Sequence, residues 1–444
     1  MSEGRGLSWF GICRLGLVQA SLGSVVVLTT STLNRVMVVE LALPALLPGV
    51  LVAIHYLIQI MRPRFGHGSD RGGRRTPWII GGIALLGLGG VLAAAATALM
   101  EVSTLPGVAL ALLAFLMIGA GVGAAGTSLL VLLAATVSPS RRAAAATITW
   151  VTMIIGFIVT TAVVGALLDP FSYSRLVTLT TAVSVIALAV TCVAVYGIEP
   201  KARPTVRTDE MGEKSSFRAA ITEVWSEPRT RRFSLFVFMS MLAYSAQDLL
   251  LEPFAGAVFG LTPGESTQLG SVQHGGVLLG MLLVALVGSV IARGRHDVLR
   301  RCTVAGCAGC AAMLAVLAAA ALVGPPWPLH GLVFSLGLTS GVFSVAAIAS
   351  MMALVSQGHR RRDGVRMGVW GAAQAIAFGL GGILGTLAVD LAQLSGATTA
   401  VSYGLAFALQ AILFLVASVL AVSLGRADPT TRKRQPLEVS DAPV

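Results

Sequence analysis

Residues 62–81 read RPRFGHGSDRGGRRTPWIIG. Gly66, Asp70, Arg71, Gly73, Arg74 and Arg75 make this a short, basic, glycine-rich turn. Gly66 lets helix backbones approach, Asp70 can accept from the exposed N–H groups at a neighbouring helix N-terminus, and the arginines suit lipid headgroups. Residues 44–64 before the turn and 77–100 after it are almost entirely apolar. Each reaches the roughly 20 residues that cross about 30 Å of hydrocarbon at 1.5 Å per residue. The stretch therefore reads as a tight connection between two membrane spans.

Further spans follow in both directions. The pattern predicts twelve, at 13–38, 44–64, 77–100, 107–137, 144–168, 174–198, 231–256, 266–292, 302–323, 329–356, 366–390 and 398–424. Of the 444 residues 55% are hydrophobic and 11% charged, less than half the charge content of an ordinary soluble domain, which excludes a soluble enzyme. The net charge of +11 does not indicate nucleic acid, because the basic residues sit in short connections with no aromatic interleaving. Taking the even-to-odd connections and both termini as cytoplasmic, all 31 lysines and arginines except Arg35 and Arg175 fall on the cytoplasmic side. That predicts an inner-membrane protein with both termini inside. Five cysteines in or beside apolar runs make no disulfide framework, and the Cys307/Cys310 pair reads as packing. The apolar N-terminal stretch has no small-residue cleavage site after it and reads as a retained first span.

Residues 66–75 match the GxxxDRxGRR signature of the major facilitator superfamily, which the chain resembles in having twelve spans and a central polar stretch. The resemblance implies an all-α fold of two six-helix halves, with Gly66, Asp70 and Arg71 closing a gate between them. A worn copy follows at Gly288, Arg293 and Gly294, with Ala292 in the acidic place, and Gly288 follows Gly66 by 222 residues. Parallel halves related by an axis along the membrane normal are expected. The division is residues 1–198 for the first half, 199–230 for a cytoplasmic linker, 231–425 for the second half and 426–444 for a disordered tail. In the linker, Phe217, Ile221, Val224 and Trp225 recur at helical spacing, compatible with a surface helix or a solvated loop. The glycines at 119, 121, 123 and 126, and the pair 381–382, read as close helix contacts.

Ionisable groups at membrane depth are expensive and mark candidate sites. His55 lies about 16 Å from the inner end of span 2, and His274 about 21 Å along span 8 from Gly288. The repeat offset brings them within a helical turn in depth. A neutral imidazole there can ligate a metal or hydrogen-bond between helices, and Gln59 and Gln273 suit either role. In span 7, Gln247 precedes Asp248 and Glu252, which share one helix face and cannot both stay ionised without a nearby cation. Their candidate partners are His274 and Arg35, and their role is proton coupling, orientation of a ligating histidine, or a structural cluster. Asn34, Arg35 and Glu40 suit a ligand's polar groups or the interface. Nucleotide-binding loops, zinc patterns, nucleophile elbows and aspartate-rich diphosphate-binding motifs are all absent, so an enzyme is not expected.

Four stretches together, at 27–41 (VLTTSTLNRVMVVEL), 62–81, 141–150 (RRAAAATITW) and 240–276 (SMLAYSAQDLLLEPFAGAVFGLTPGESTQLGSVQHGG), resemble the PucC/LhaA family, the bacteriochlorophyll delivery branch of the superfamily. The resemblance implies a factor of the bacterial intracytoplasmic membrane that hands bacteriochlorophyll to light-harvesting antenna polypeptides, with pigment-synthesis enzymes as further partners. It implies His55 and His274 as magnesium ligands, with Gln59 and Gln273 beside them. The alternative is a secondary transporter coupled to protons through Asp248 and Glu252.

Overall fold

Helices apolar on every side have no face for water, and in lipid a helix satisfies its own backbone hydrogen bonds. The computed structural model describes residues 7–62, 74–138, 141–199, 228–290, 296–356 and 363–423. Within them the chain forms α1 (Trp9–Glu40), α2 (Leu46–Met61), α3 (Thr76–Val102), α4 (Thr104–Thr136), α5 (Arg142–Leu168) and α6 (Tyr173–Val195). The second set is α7 (Pro228–Phe259), α8 (Pro263–Val290), α9 (His296–Val323), α10 (Leu329–Ser356), α11 (Asp363–Leu394) and α12 (Thr399–Ser423). Eleven of these are long and apolar enough to cross a membrane, while α2 is a shorter apolar helix.

Three details depart from the sequence reading. Helix α1 starts at Trp9 rather than at residue 13, because Ser8 caps it, its Oγ accepting from Gly11 N at 3.2 Å. Two π-helical segments, Leu28–Thr32 and Val36–Glu40, interrupt α1 on either side of Asn34 and Arg35. Helix α2 tightens into a 3₁₀ turn at Gln59–Met61, and the residues that would carry it to position 64 lie outside those described. The linker stretch around Phe217 to Trp225, the tail after residue 423, and Gly66, Asp70, Arg71 and Gly73 of the gate motif are likewise outside the described residues.

Each half encloses its own apolar core, one centred on Ile83, Leu86, Phe115 and Ile118, the other on Phe236, Phe254, Phe343 and Phe407. Buried hydroxyls add no orphan polar groups where they bond back to the preceding turn, as Thr97, Thr149 and Ser240 do. Gly119 and Gly121 permit the close approach expected of them, whereas a Cβ on Gly126 would meet only Leu22 Cδ1 at 3.8 Å. A Cβ on Gly119 would lie 2.6 Å from the His55 carbonyl oxygen, and one on Gly121 2.6 Å from Leu86 N. Cys307 and Cys310 are buried free thiols in the second core. The halves meet through α1 with α7, α2 with α11, and α5 with α8. We call the face bearing the first and last described residues proximal, and the opposite face distal.

Candidate functional site

The polar side chains singled out at membrane depth gather where the two halves meet. Asn34 and Arg35 occupy the short α-helical turn between the π segments of α1, a distortion frequent at functional sites. Asn34 Nδ2 donates to the Leu249 carbonyl of α7 at 2.5 Å. Arg35, only 2% exposed, pairs with Glu40 and donates from Nη2 to the Leu261 carbonyl at 2.8 Å. Its charge also acts on Glu252, which is 3% exposed and whose Oε2 has no hydrogen-bond partner. Of the two partners expected for the α7 carboxylates, Arg35 is therefore the one that serves Glu252.

Asp248, one turn earlier, has a different neighbour, the Gln273 side chain of α8. The i, i+4 pair is thus split between α1 and α8, which relieves the repulsion that their spacing suggests. Gln247 is fully buried with neither amide atom partnered.

The two histidines differ in what their ring nitrogens are free to do. His274 Nδ1 lies 2.7 Å from the Gly270 carbonyl oxygen, which can only accept, so in the neutral ring Nδ1 carries the proton and Nε2 keeps its lone pair. The edge of the Phe157 ring of α5 stands against that imidazole, with centroids 4.9 Å apart at 70°. A backbone carbonyl on Nδ1 leaves Nε2 free to accept a hydrogen bond or to ligate. His55 is engaged otherwise. Arg62 donates to Gln59 Oε1, which orients that amide so that its Nε2 faces His55 Nε2 at 2.9 Å. An amide nitrogen only donates, so His55 Nε2 is already accepting and the buried Nδ1–H has no partner.

The structure brings Asp248 together with Gln273, Glu252 with Arg35, and His55 with Gln59. It keeps the histidines in different surroundings, His55 beside Tyr56, which in turn meets the α11 ring of Phe378, and His274 against Phe157 of α5. Of the gate motif, the described Arg75 donates from its backbone N to Glu199 Oε1 at 2.6 Å, and Thr76 N donates to Glu199 Oε2 at 2.9 Å. Arg74 is exposed beside it. Sequence reasoning missed Arg62, Tyr56 and Phe157. Arg62 looked like a loop charge, and the rings have no polar signature to mark them.

Twelve apolar helices in two halves that meet through these three pairs define a membrane protein of the major facilitator fold. Solved structures agree: the nucleoside transporter NupG superposes with a TM-score of 0.67 at 16% identity, covering 94% of this chain and 99% of that one. A bacterial homologue of the human lysosomal transporter Spinster, inward-facing and unoccupied, gives 0.64 at 13% identity over 96% of this chain and 100% of that one. At such identities the likeness concerns the fold alone. The chain belongs to the PucC family, whose sequence profile, described as PUCC protein, matches residues 32–428. It is 49% identical over 426 residues to the bacteriochlorophyll synthase 44.5 kDa chain of Rhodobacter capsulatus, spanning 96% of this chain and 98% of that one. Protein PucC of the same organism is 28% identical over 431 residues, 93% of this chain and 92% of the relative.

Proposed function

We propose that this protein binds bacteriochlorophyll within the membrane and delivers it to light-harvesting antenna polypeptides, acting as a carrier rather than an enzyme. The observation that carries the reading is His274, with Nδ1 tied to the Gly270 carbonyl and Nε2 open at membrane depth. Among the described residues no group of three or more His, Cys, Asp or Glu is arranged to hold a metal ion. A magnesium tetrapyrrole, which brings most of the metal's ligands with it, would be held here through one nitrogen of His274. His55, whose Nε2 already accepts from Gln59, then serves as a structural neighbour, and the magnesium ligand narrows to His274. Gln273 lies next to it in sequence, with Asp248 beside Gln273 in space, and Gln59 orients His55.

Family membership and the name of the Rhodobacter relative support the pigment, and photosynthetic bacteria as the setting. The word synthase in that name describes the relative. In this chain the lack of an aspartate-rich diphosphate motif speaks against prenyl transfer. The basic residues support a cytoplasmic proximal face, an inner-membrane location, and a six-plus-six division with a linker near residues 199–230. Pigment-synthesis enzymes are further partners on this reading.

The transporter alternative draws on one observation, the buried Glu252 with an unpartnered Oε2 within reach of the Arg35 charge, a fit place for a transferable proton. A mild-detergent pull-down from phototrophic cells, with polypeptides identified by mass spectrometry, tests the carrier reading. Antenna polypeptides and pigment are expected with the wild type and with His55→Ala. His274→Ala should lose pigment on the order of tenfold, the scale of a lost metal contact. Pigment unchanged in His274→Ala would remove the ligand role, and absence of antenna polypeptides would remove the delivery role.

A further inference from the structure

Two aspartates far apart in the chain make the same contact at the distal face. Asp169, which follows the last residue of α5, accepts at Oδ1 from Gly264 N at 3.2 Å and at Oδ2 from the Thr262 hydroxyl at 2.5 Å. Thr262 starts α8 in a reciprocal cap with Glu265: Glu265 N donates to Thr262 Oγ1 at 3.1 Å, and Thr262 N donates to Glu265 Oε2 at 2.9 Å. Asp390, one turn before the end of α11, accepts from Ala45 N at 2.9 Å and from Leu46 N at 2.7 Å, where α2 begins. In each case a carboxylate from one half caps the first turn of a helix in the other half. Exposed N–H groups and the positive end of the helix dipole favour a carboxylate in that place.

The two caps are related by the internal repeat. Asp390 follows Asp169 by 221 residues, against the 222 that separate Gly288 from Gly66, so α11 onto α2 repeats α5 onto α8. Behind each cap the same helix pair packs closely. A Cβ on Gly165 would lie 2.6 Å from Gln268 Cγ, and one on Gly49 3.2 Å from Thr386 Cβ. The Arg35 bond to the Leu261 carbonyl closes the third helix pair at the same end.

We propose that Asp169 and Asp390 are a symmetric pair of latches that hold the distal ends of the two halves together, and that both must release for the distal face to open. The pair is independent of what the protein carries, since neither side chain belongs to the polar cluster at membrane depth.

The test is a distance measurement between spin labels at Val102 and Leu394, exposed residues at the distal ends of α3 and α11, with Cys13, Cys192, Cys302, Cys307 and Cys310 replaced. In lipid nanodiscs the otherwise native protein should give one narrow distance. Asp169→Ala with Asp390→Ala should add a population longer by about 5 Å or more, one helical turn. Asp169→Asn with Asp390→Asn keeps an acceptor oxygen at each cap and should stay close to the narrow distribution. Should the double alanine variant fail to purify, each single alanine variant is paired with Asn at the other aspartate, and the longer population should be smaller than with both caps lost, because one latch still has to release. A distance distribution left unchanged by loss of the caps, even with a lower melting temperature, overturns the proposal, because the caps would then be ordinary helix ends.

Discussion

Arg35 is among the largest fully buried side chains of the described structure, and its surroundings explain how a guanidinium persists there. It has Glu40, the Leu261 carbonyl and the charge of Glu252. Removing one partner of a buried charge set costs far more than removing the set, because the survivor stays desolvated. Arg35→Ala should therefore lower stability by about 3 kcal/mol, measured as thermal unfolding in detergent, and adding Glu252→Gln should recover part of that loss. Additive effects of the two changes would mean that the side chains do not couple. The sequence marks Arg35, Asp248, Glu252, Gln273 and His274 by the cost of polar groups in lipid. It does not show that Asp248 and Glu252 turn to different helices, because the direction of a side chain across an interface depends on which helices pack there. Nor does spacing separate the two histidines. That distinction rests on a carbonyl four residues before His274 and an amide four residues after His55.

At the scale of elements, the hydropathy pattern gives the helices well, with α10 matching its expected bounds at both ends. It misses the π segments of α1, which keep the composition of a span while changing its turn, and it misses caps supplied from distant helices. Glu199 is one of these, bridging the end of α6 to the start of α3 next to the basic turn from which the fold was read. Burial alone would raise its carboxyl, but the backbone N–H groups of Arg75 and Thr76 outweigh it and hold the group below its ordinary value of 4.5. A depressed carboxylate contributes stability that is present above the unfolded value and is lost as pH falls through the folded one. Glu199→Gln should accordingly be less stable than the wild type at pH 7 by about 1 kcal/mol or less, the value of an exposed helix cap. Unfolding curves of the two proteins should converge as the pH is lowered below 4.5. A difference that stays constant with pH would place the effect in packing instead.

For the whole molecule, the turn at residues 62–81, the twelve spans and the 222-residue repeat identify the fold from sequence. The repeat also contains information that hydropathy does not reveal: applied to Asp169, it leads to within one residue of Asp390, two aspartates that resemble ordinary interfacial charges until their partners across the halves are seen. The proposed function rests on a different claim, that the helices would shelter a magnesium tetrapyrrole held through His274. The most direct measurement is the absorption spectrum of the full-length protein purified in mild detergent from pigment-producing cells. The account predicts coloured protein with a near-infrared bacteriochlorophyll band, retained through size-exclusion chromatography. Colourless protein that instead shows proton-dependent solute uptake in vesicles would contradict it.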